Sequence, residues 1–263
     1  MTGPTVLVAQ GLSRRFGDIL AVTDVSFELA RGQSLALIGP NGAGKSTTLS
    51  MLTTAQRPDN GHASVDGHDV VLAAQQARAS LGVLFQEPAL DAAMTPRETL
   101  TLHAALHGIA WRETASCVAR ALNTAGLTDV ADVAIHRFSG GMKRRLELAR
   151  AMMHGPRLLI LDEPTLGLDP QGRLDLWSRI SALRSGGTAV LMTTNVLFEA
   201  ESFDRVGILD RGRLVALDTP TALKCRYAGS PDASLEDVFF HLTGRALRDS
   251  ARPMRPVLVR RQG

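Results

Sequence analysis

Cysteine is nearly absent. Cys117 and Cys225 are the only two in 263 residues, and they stand too far apart for any metal-ligand or redox spacing. Buried or inert thiols, rather than a disulfide, are the expectation, which suits a reducing cytosol. Long apolar runs are missing too. The longest cover a few residues, against the ~20 that a membrane-crossing helix needs. If the chain works at a membrane, another chain must cross it. Met1-Thr2-Gly3-Pro4 has no charged stretch and no apolar run after it, so no signal peptide is expected. A strong charge imbalance is also lacking: the formal net charge is +3, too weak an excess to argue for a nucleic-acid partner. There is no internal repeat and no low-complexity block.

What remains is a chain with 44% hydrophobic residues, enough for a sizeable core in one large domain or a domain with a subdomain. Val6-Leu7-Val8 and Val25-Ser26-Phe27-Glu28-Leu29 read as strands, with Arg31-Gly32 as a turn. Ser34-Leu35-Ala36-Leu37-Ile38-Gly39 reads as a buried strand entering a glycine-rich loop. From about 95 to 154 the pattern turns helical. Pro96-Arg97-Glu98 after Thr95 marks a helix start, and Arg112 to Ala125 is a second helix. Strand patterns return at Leu158-Leu159-Ile160-Leu161 and Ala189-Val190-Leu191-Met192, with a helix after Asp169-Pro170 between them. Such alternation predicts a largely parallel sheet covered by helices, with an inserted helical subdomain. A helix is expected at about 234–243. Beyond residue 244, six arginines face one acid, Asp249; a flexible solvated tail and a membrane-surface contact are both open readings of 245–263.

Gly39-Pro40-Asn41-Gly42-Ala43-Gly44-Lys45-Ser46-Thr47 fits the phosphate-cradling pattern G-x-x-x-x-G-K-[ST]. Glycines let backbone N–H groups wrap around phosphate oxygens, and the following helix turns its positive end to the anion. Lys45 supplies a mobile point charge for the β- and γ-phosphates, and Ser46 can place its hydroxyl on Mg²⁺. A chance glycine-rich turn would lack the strand before and the helix after. The motif alone indicates a P-loop nucleoside triphosphatase. Downstream, the apolar strand 158–161 ends in Asp162-Glu163, where a buried strand has no reason to carry charge without a use for it. Asp162 is placed to hold Mg²⁺, directly or through water, and Glu163 is the candidate base that polarises the attacking water. An ordinary strand end with solvated acids is the bland alternative.

Ser139-Gly140-Gly141-Met142-Lys143-Arg144-Arg145 can cap a helix and expose N–H groups to an anion. Lying just upstream of the 158–163 strand, this stretch resembles the signature motif of the ABC ATPase family. The ordered motifs resemble that family over roughly residues 5–225. The resemblance implies a P-loop core with an N-terminal antiparallel β subdomain and an inserted helical subdomain. It also implies that the Ser139–Met142 site closes over ATP held by a second ATPase domain. Gln86 is placed like the glutamine that senses Mg²⁺ and the membrane partner, Gly167-Leu168-Asp169 like the loop linking the two sites, and Phe16 like the aromatic that stacks on adenine; a core phenylalanine is the plainer reading of Phe16.

Two departures stand out. Phe138 replaces the usual leucine before Ser139, a packing change. Asn195 in Thr193-Thr194-Asn195 stands where the family has its switch histidine. Asparagine can still donate to the γ-phosphate but lacks the imidazole's charge and shape, which puts the hydrolysis rate in doubt. Leu90–Leu100, His103–Gly108 and Ser234–Arg245 resemble the drug-resistance exporter ATPases of the daunorubicin type, which pair with a separate membrane subunit; an amphipathic helix packed on the core is the plainer reading of the last stretch. The implied function is an ATP-hydrolysing subunit on the cytoplasmic face of the cell membrane, using ATP and Mg²⁺, with a transmembrane permease and a second ATPase domain, identical or not, as partners. An importer ATPase, a soluble ABC ATPase and a low-turnover ATP-binding switch are the alternatives.

Overall fold

The computed structural model describes residues 3–87 and 89–244. The basic stretch 245–263, including Arg245, lies outside the described residues. In chain order the elements are β1 (Thr5–Phe16), β2 (Ile19–Ala30), β3 (Ser34–Ile38), α1 (Lys45–Leu52), β4 (Asn60–Val65), β5 (His68–Asp69), α2 (Ala74–Ala79) and β6 (Leu81–Leu84). There follow α3 (Pro96–Leu106), α4 (Trp111–Ala125), α5 (Gly140–Met152), β7 (Leu158–Asp162), α6 (Pro170–Ser185), β8 (Ala189–Thr194), α7 (Leu197–Ala200), β9 (Arg205–Asp210), β10 (Arg213–Asp218), α8 (Pro220–Leu223) and α9 (Leu235–Thr243).

Two sheets form. An antiparallel sheet has the order β2-β1-β4-β5, and a mostly parallel sheet has the order β10-β9-β3-β8-β7-β6 with only β10 antiparallel. Strands β3 and β8 are buried along their whole length, as a strand covered on both faces must be. Successive side chains leave a strand on opposite faces. Leu35, Leu37, Leu158 and Ile160 accordingly join a core shared with β1, β2 and α1, while Ala36, Ile38, Leu159 and Leu161 join a second core with α6 and α9.

The helical insert has its own core. On α4, Val118, Ala121, Leu122 and Ala125 share one face and meet Leu100 of α3 and Leu146 of α5. Phe138, the departure before Ser139, is buried in that cluster. The start of α3 is a capping box: Glu98 N–H donates to Thr95 Oγ1 at 3.2 Å, and Thr95 N–H donates to Glu98 Oε2 at 2.8 Å. The helix α9 is closed in the same way by Ser234 and Asp237, and it buries Leu235, Val238 and Phe239. Cys117 is buried, Cys225 is exposed, and both are free. No helix among the described residues is long and apolar enough to cross a membrane.

Candidate functional site

The buried strand β3 delivers the chain into the phosphate-cradling loop, and two positions there admit only glycine. A Cβ on Gly39 would come within 2.4 Å of the Leu209 carbonyl oxygen, and one on Gly44, at φ 99°, within 2.6 Å of the Ala21 carbonyl oxygen. The loop is braced from below by the β9–β10 turn. Gly212 N–H donates to Ala43 O at 3.0 Å, and Gly212 O accepts from Thr23 N–H at 2.7 Å. Helix α1 starts at Lys45, so its N-terminal N–H groups face the loop.

Lys45 is buried. Its Nζ donates to Gly39 O at 2.7 Å and Pro40 O at 3.2 Å, and stands 3.7 Å from Glu163 Oε1. Burial lowers its pKa, and the carboxylates of Glu163 and Asp162 oppose that effect. Glu163 has φ 43°, a sparsely populated conformation for a glutamate. Its N–H is held by Thr193 O at 3.0 Å and Thr193 Oγ1 at 3.3 Å. Thr193 also donates its hydroxyl to Asp162 Oδ1, so one residue of β8 orients both acids at the end of β7.

A cavity of about 420 Å³ gathers Pro40, Asn41, Gly42, Gly44, Lys45, Ser46 and Thr47 with Gln86, Glu163 and Asn195. Residues from four separate parts of the chain therefore meet at one place. Ser139, Gly141, Met142 and Asp169 line a different cavity, of about 290 Å³. There Ser139 Oγ caps α5 by accepting from Met142 N–H at 3.3 Å, and Asp169 Oδ1 caps α6 by accepting from Gly172 N–H at 2.7 Å. Gly140 is exposed at the start of α5. Within one chain, then, the signature stretch and the P-loop do not share a site. Phe16 lies at the exposed end of β1, outside the residues lining the 420 Å³ cavity, with the Arg14 guanidinium 5.1 Å from its ring centroid. It is not the core phenylalanine of the plainer reading.

Sequence reasoning missed two brackets around this site. Arg144 is buried and donates from Nη1 to Phe85 O at 2.7 Å and to Glu147 Oε2 at 3.2 Å, and from Nε to Pro164 O at 2.8 Å. Glu147 Oε1 accepts from Ala89 N–H at 3.0 Å. The pair thereby ties α5 to the segment beside Gln86 and to the loop after Glu163. The second bracket is Glu199, also buried, whose carboxylate accepts from Thr194 Oγ1 at 2.9 Å and Thr165 Oγ1 at 2.5 Å. It joins the residue before Asn195 to the same loop. The only local signal for either was an acid or arginine at a position that the helix pattern buries.

The ABC transporter family profile matches residues 22–166. A daunorubicin resistance ATP-binding protein of Streptomyces coeruleorubidus is 40% identical over 86% of this chain and 72% of its own length. A probable multidrug ABC transporter ATP-binding protein of Escherichia coli is 38% identical over 91% of this chain, which spans only 42% of that protein. The solved structure of an ATP-binding subunit of an ABC transporter superposes with a TM-score of 0.82 at 31% identity, covering 90% of this chain and 99% of that one. The chain belongs to the ABC transporter family, among its ATP-binding subunits.

Proposed function

We propose that this ATP-binding subunit hydrolyses ATP to drive an exporter, through a separate transmembrane permease and as a dimer of ATPase domains on the cytoplasmic membrane face. The observation that carries the reading is the 420 Å³ cavity, which joins the phosphate loop to Gln86, Glu163 and Asn195 while the signature residues face another cavity. A second ATPase domain would bring its signature helix to this loop. Residues 1–244 act as one ATPase domain, and the helical insert at about 95–154 passes closure of the dimer to the permease. Export is favoured over import by the drug-resistance and multidrug relatives.

In this reading the P-loop N–H groups and Lys45 bind the phosphates, and Phe16 offers a ring to the adenine. Ser46, Gln86 and Asp162 offer a hydroxyl, an amide oxygen and a carboxylate. That all-oxygen donor set fits Mg²⁺, which when bound neutralises charge on the β- and γ-phosphates. Glu163 polarises the attacking water, and Asn195 donates to the γ-phosphate. On the partner's ATP, Ser139 and the N–H groups of Gly140 and Gly141 complete the site, with Met142 beside them and Asp169 at the junction.

Lys45→Ala is expected to weaken MgATP binding by about 10–150-fold, the span of one charge-assisted hydrogen bond. Titration with a fluorescent ATP analogue reads this directly. Wild-type affinity in the variant would sink the assignment of the loop.

A low-turnover switch is favoured by one feature, Asn195 in place of the switch histidine. Asn195→His is expected to raise the steady-state ATPase rate about tenfold, roughly 1.4 kcal/mol of barrier, with little change in ATP affinity. An unchanged or lower rate, with and without the partner domain, would show that Asn195 does not limit turnover.

A further inference from the structure

Outside the nucleotide site, three imidazoles converge. His103 lies in the last turn of α3, His107 caps its C-terminus one turn later, and His154 follows the end of α5. One ligand nitrogen from each lies within 4.8 Å of the other two. His107 and His154 stack with ring centroids 3.8 Å apart, and His103 lies 4.3 Å from His107. All three line a cavity of about 350 Å³ beside Phe85, Ala89 and Arg150.

The hydrogen bonds define which nitrogens are available. His154 Nε2 lies 2.9 Å from Leu81 O. A carbonyl only accepts, so Nε2 carries the proton and Nδ1 carries the lone pair. That Nδ1 is buried without a hydrogen-bond partner among the described residues, and so is His103 Nε2. A ring N–H held by a backbone carbonyl, with the opposite nitrogen free, is the usual support for a metal-ligating histidine.

We propose that His103, His107 and His154 bind a divalent transition ion of the Zn²⁺, Co²⁺ or Ni²⁺ class, which pins the C-terminal end of α3 to the connection following α5. Three imidazole ligands suit that class rather than Mg²⁺ or Ca²⁺. A tetrahedral ion with metal–nitrogen bonds near 2.0–2.1 Å holds its ligands roughly 3.3 Å apart, so binding draws these nitrogens together from a spread of up to 4.8 Å. The fourth position is left to water. Burial also keeps the rings neutral: it lowers His103 to about 3 and His154 to about 4, and it lowers His107 as well. Arg150, which adds to the lowering of His103, is held by Ala89 O at 2.6 Å. Its positive charge opposes a bound cation and weakens the site. The inference is independent of the roles given to the nucleotide-site residues.

The test is Co²⁺ titration of the untagged full chain in saturating MgADP, followed by competition with Zn²⁺. One equivalent of Co²⁺ should bind with the visible absorption of nitrogen-ligated tetrahedral cobalt. His107→Gln should weaken binding at least tenfold, and the triple change to glutamine should abolish it. Zn²⁺ at a hundredfold excess over its Kd should raise the thermal midpoint of the wild-type chain by about 5–10 °C and leave the triple variant unmoved. If losing the Leu81 contact impairs folding of the triple variant, His107→Gln alone decides, since it keeps that contact. Binding below one equivalent, or an affinity unchanged by His107→Gln, would overturn the site.

Discussion

Replacing Glu163 by glutamine is expected to lower steady-state ATP turnover by about 10²–10⁴-fold, the range of a positioned general base, with ATP affinity nearly unchanged. The side chain stands 3.7 Å from Lys45 Nζ and lines the same cavity as the phosphate loop. Glutamine keeps its length and its hydrogen-bonding oxygen, so the backbone at φ 43° and its two contacts to Thr193 have no reason to change. What disappears is the carboxylate charge that polarises water. A non-glycine residue in this conformation costs of order 1–3 kcal/mol, tolerated where the surroundings over-determine it. Here Thr193 does so, gripping the Glu163 N–H while its hydroxyl bonds Asp162. Phosphate release by purified variant and wild type, matched with an ATP-binding titration, reads the two effects separately. Size-exclusion chromatography with ATP adds a second readout, since a stalled hydrolysis step should accumulate the closed dimer. A variant that turns over at the wild-type rate would remove Glu163 from the role of base.

The parts of this site that could be read from sequence are those whose geometry is local. Gly39 to Thr47 is contiguous, and the glycines needed where Leu209 and Ala21 crowd the backbone are the ones the motif specifies. The acids at 162 and 163 were visible because four apolar residues precede them on β7. Gln86 and Asn195 are different. Nothing in their neighbourhoods fixes their meeting with Lys45; that follows from strand order, with β3 paired to β8, β8 to β7 and β7 to β6. Only the family resemblance supplied it in advance. Arg144 and Glu147 were illegible for a plainer reason. Their partners Phe85, Ala89 and Pro164 are 20 to 59 residues away, and an arginine on a helix is ordinarily a solvated one. The β9–β10 hairpin went unread although Arg211-Gly212 forms its turn, because arginine rarely adopts the positive φ of 46° found there. The histidine cluster was not legible either, because His154 joins His103 and His107 only through the packing of α5.

Arg144→Ala is expected to destabilise the chain by about 3–5 kcal/mol, the cost of breaking a buried ion pair by removing one partner. Glu147 is fully buried. With the guanidinium gone, its carboxylate keeps a charge in the interior and the hydrogen bond from Ala89 N–H at 3.0 Å. The carbonyls of Phe85 and Pro164 lose their donors at the same time. Removing both charges tests the cause. Arg144→Met with Glu147→Leu removes both charges of the pair, and replacing a buried pair by apolar groups of similar volume is often neutral or stabilising. The double variant should therefore recover much of the loss, although the three backbone groups remain unpaired. Urea denaturation separates the cases: the single variant should lower the midpoint with an unchanged slope, and the double variant should move it back toward wild type. The function should not recover in parallel. The arginine holds the carbonyl before Gln86, the loop after Glu163 and the signature helix together. A folded double variant with wild-type ATP turnover would show that the bracket serves stability alone. A single variant that loses less than about 1 kcal/mol, the scale of an exposed pair, would show that the pair is solvated in solution and not buried as it stands in the fold.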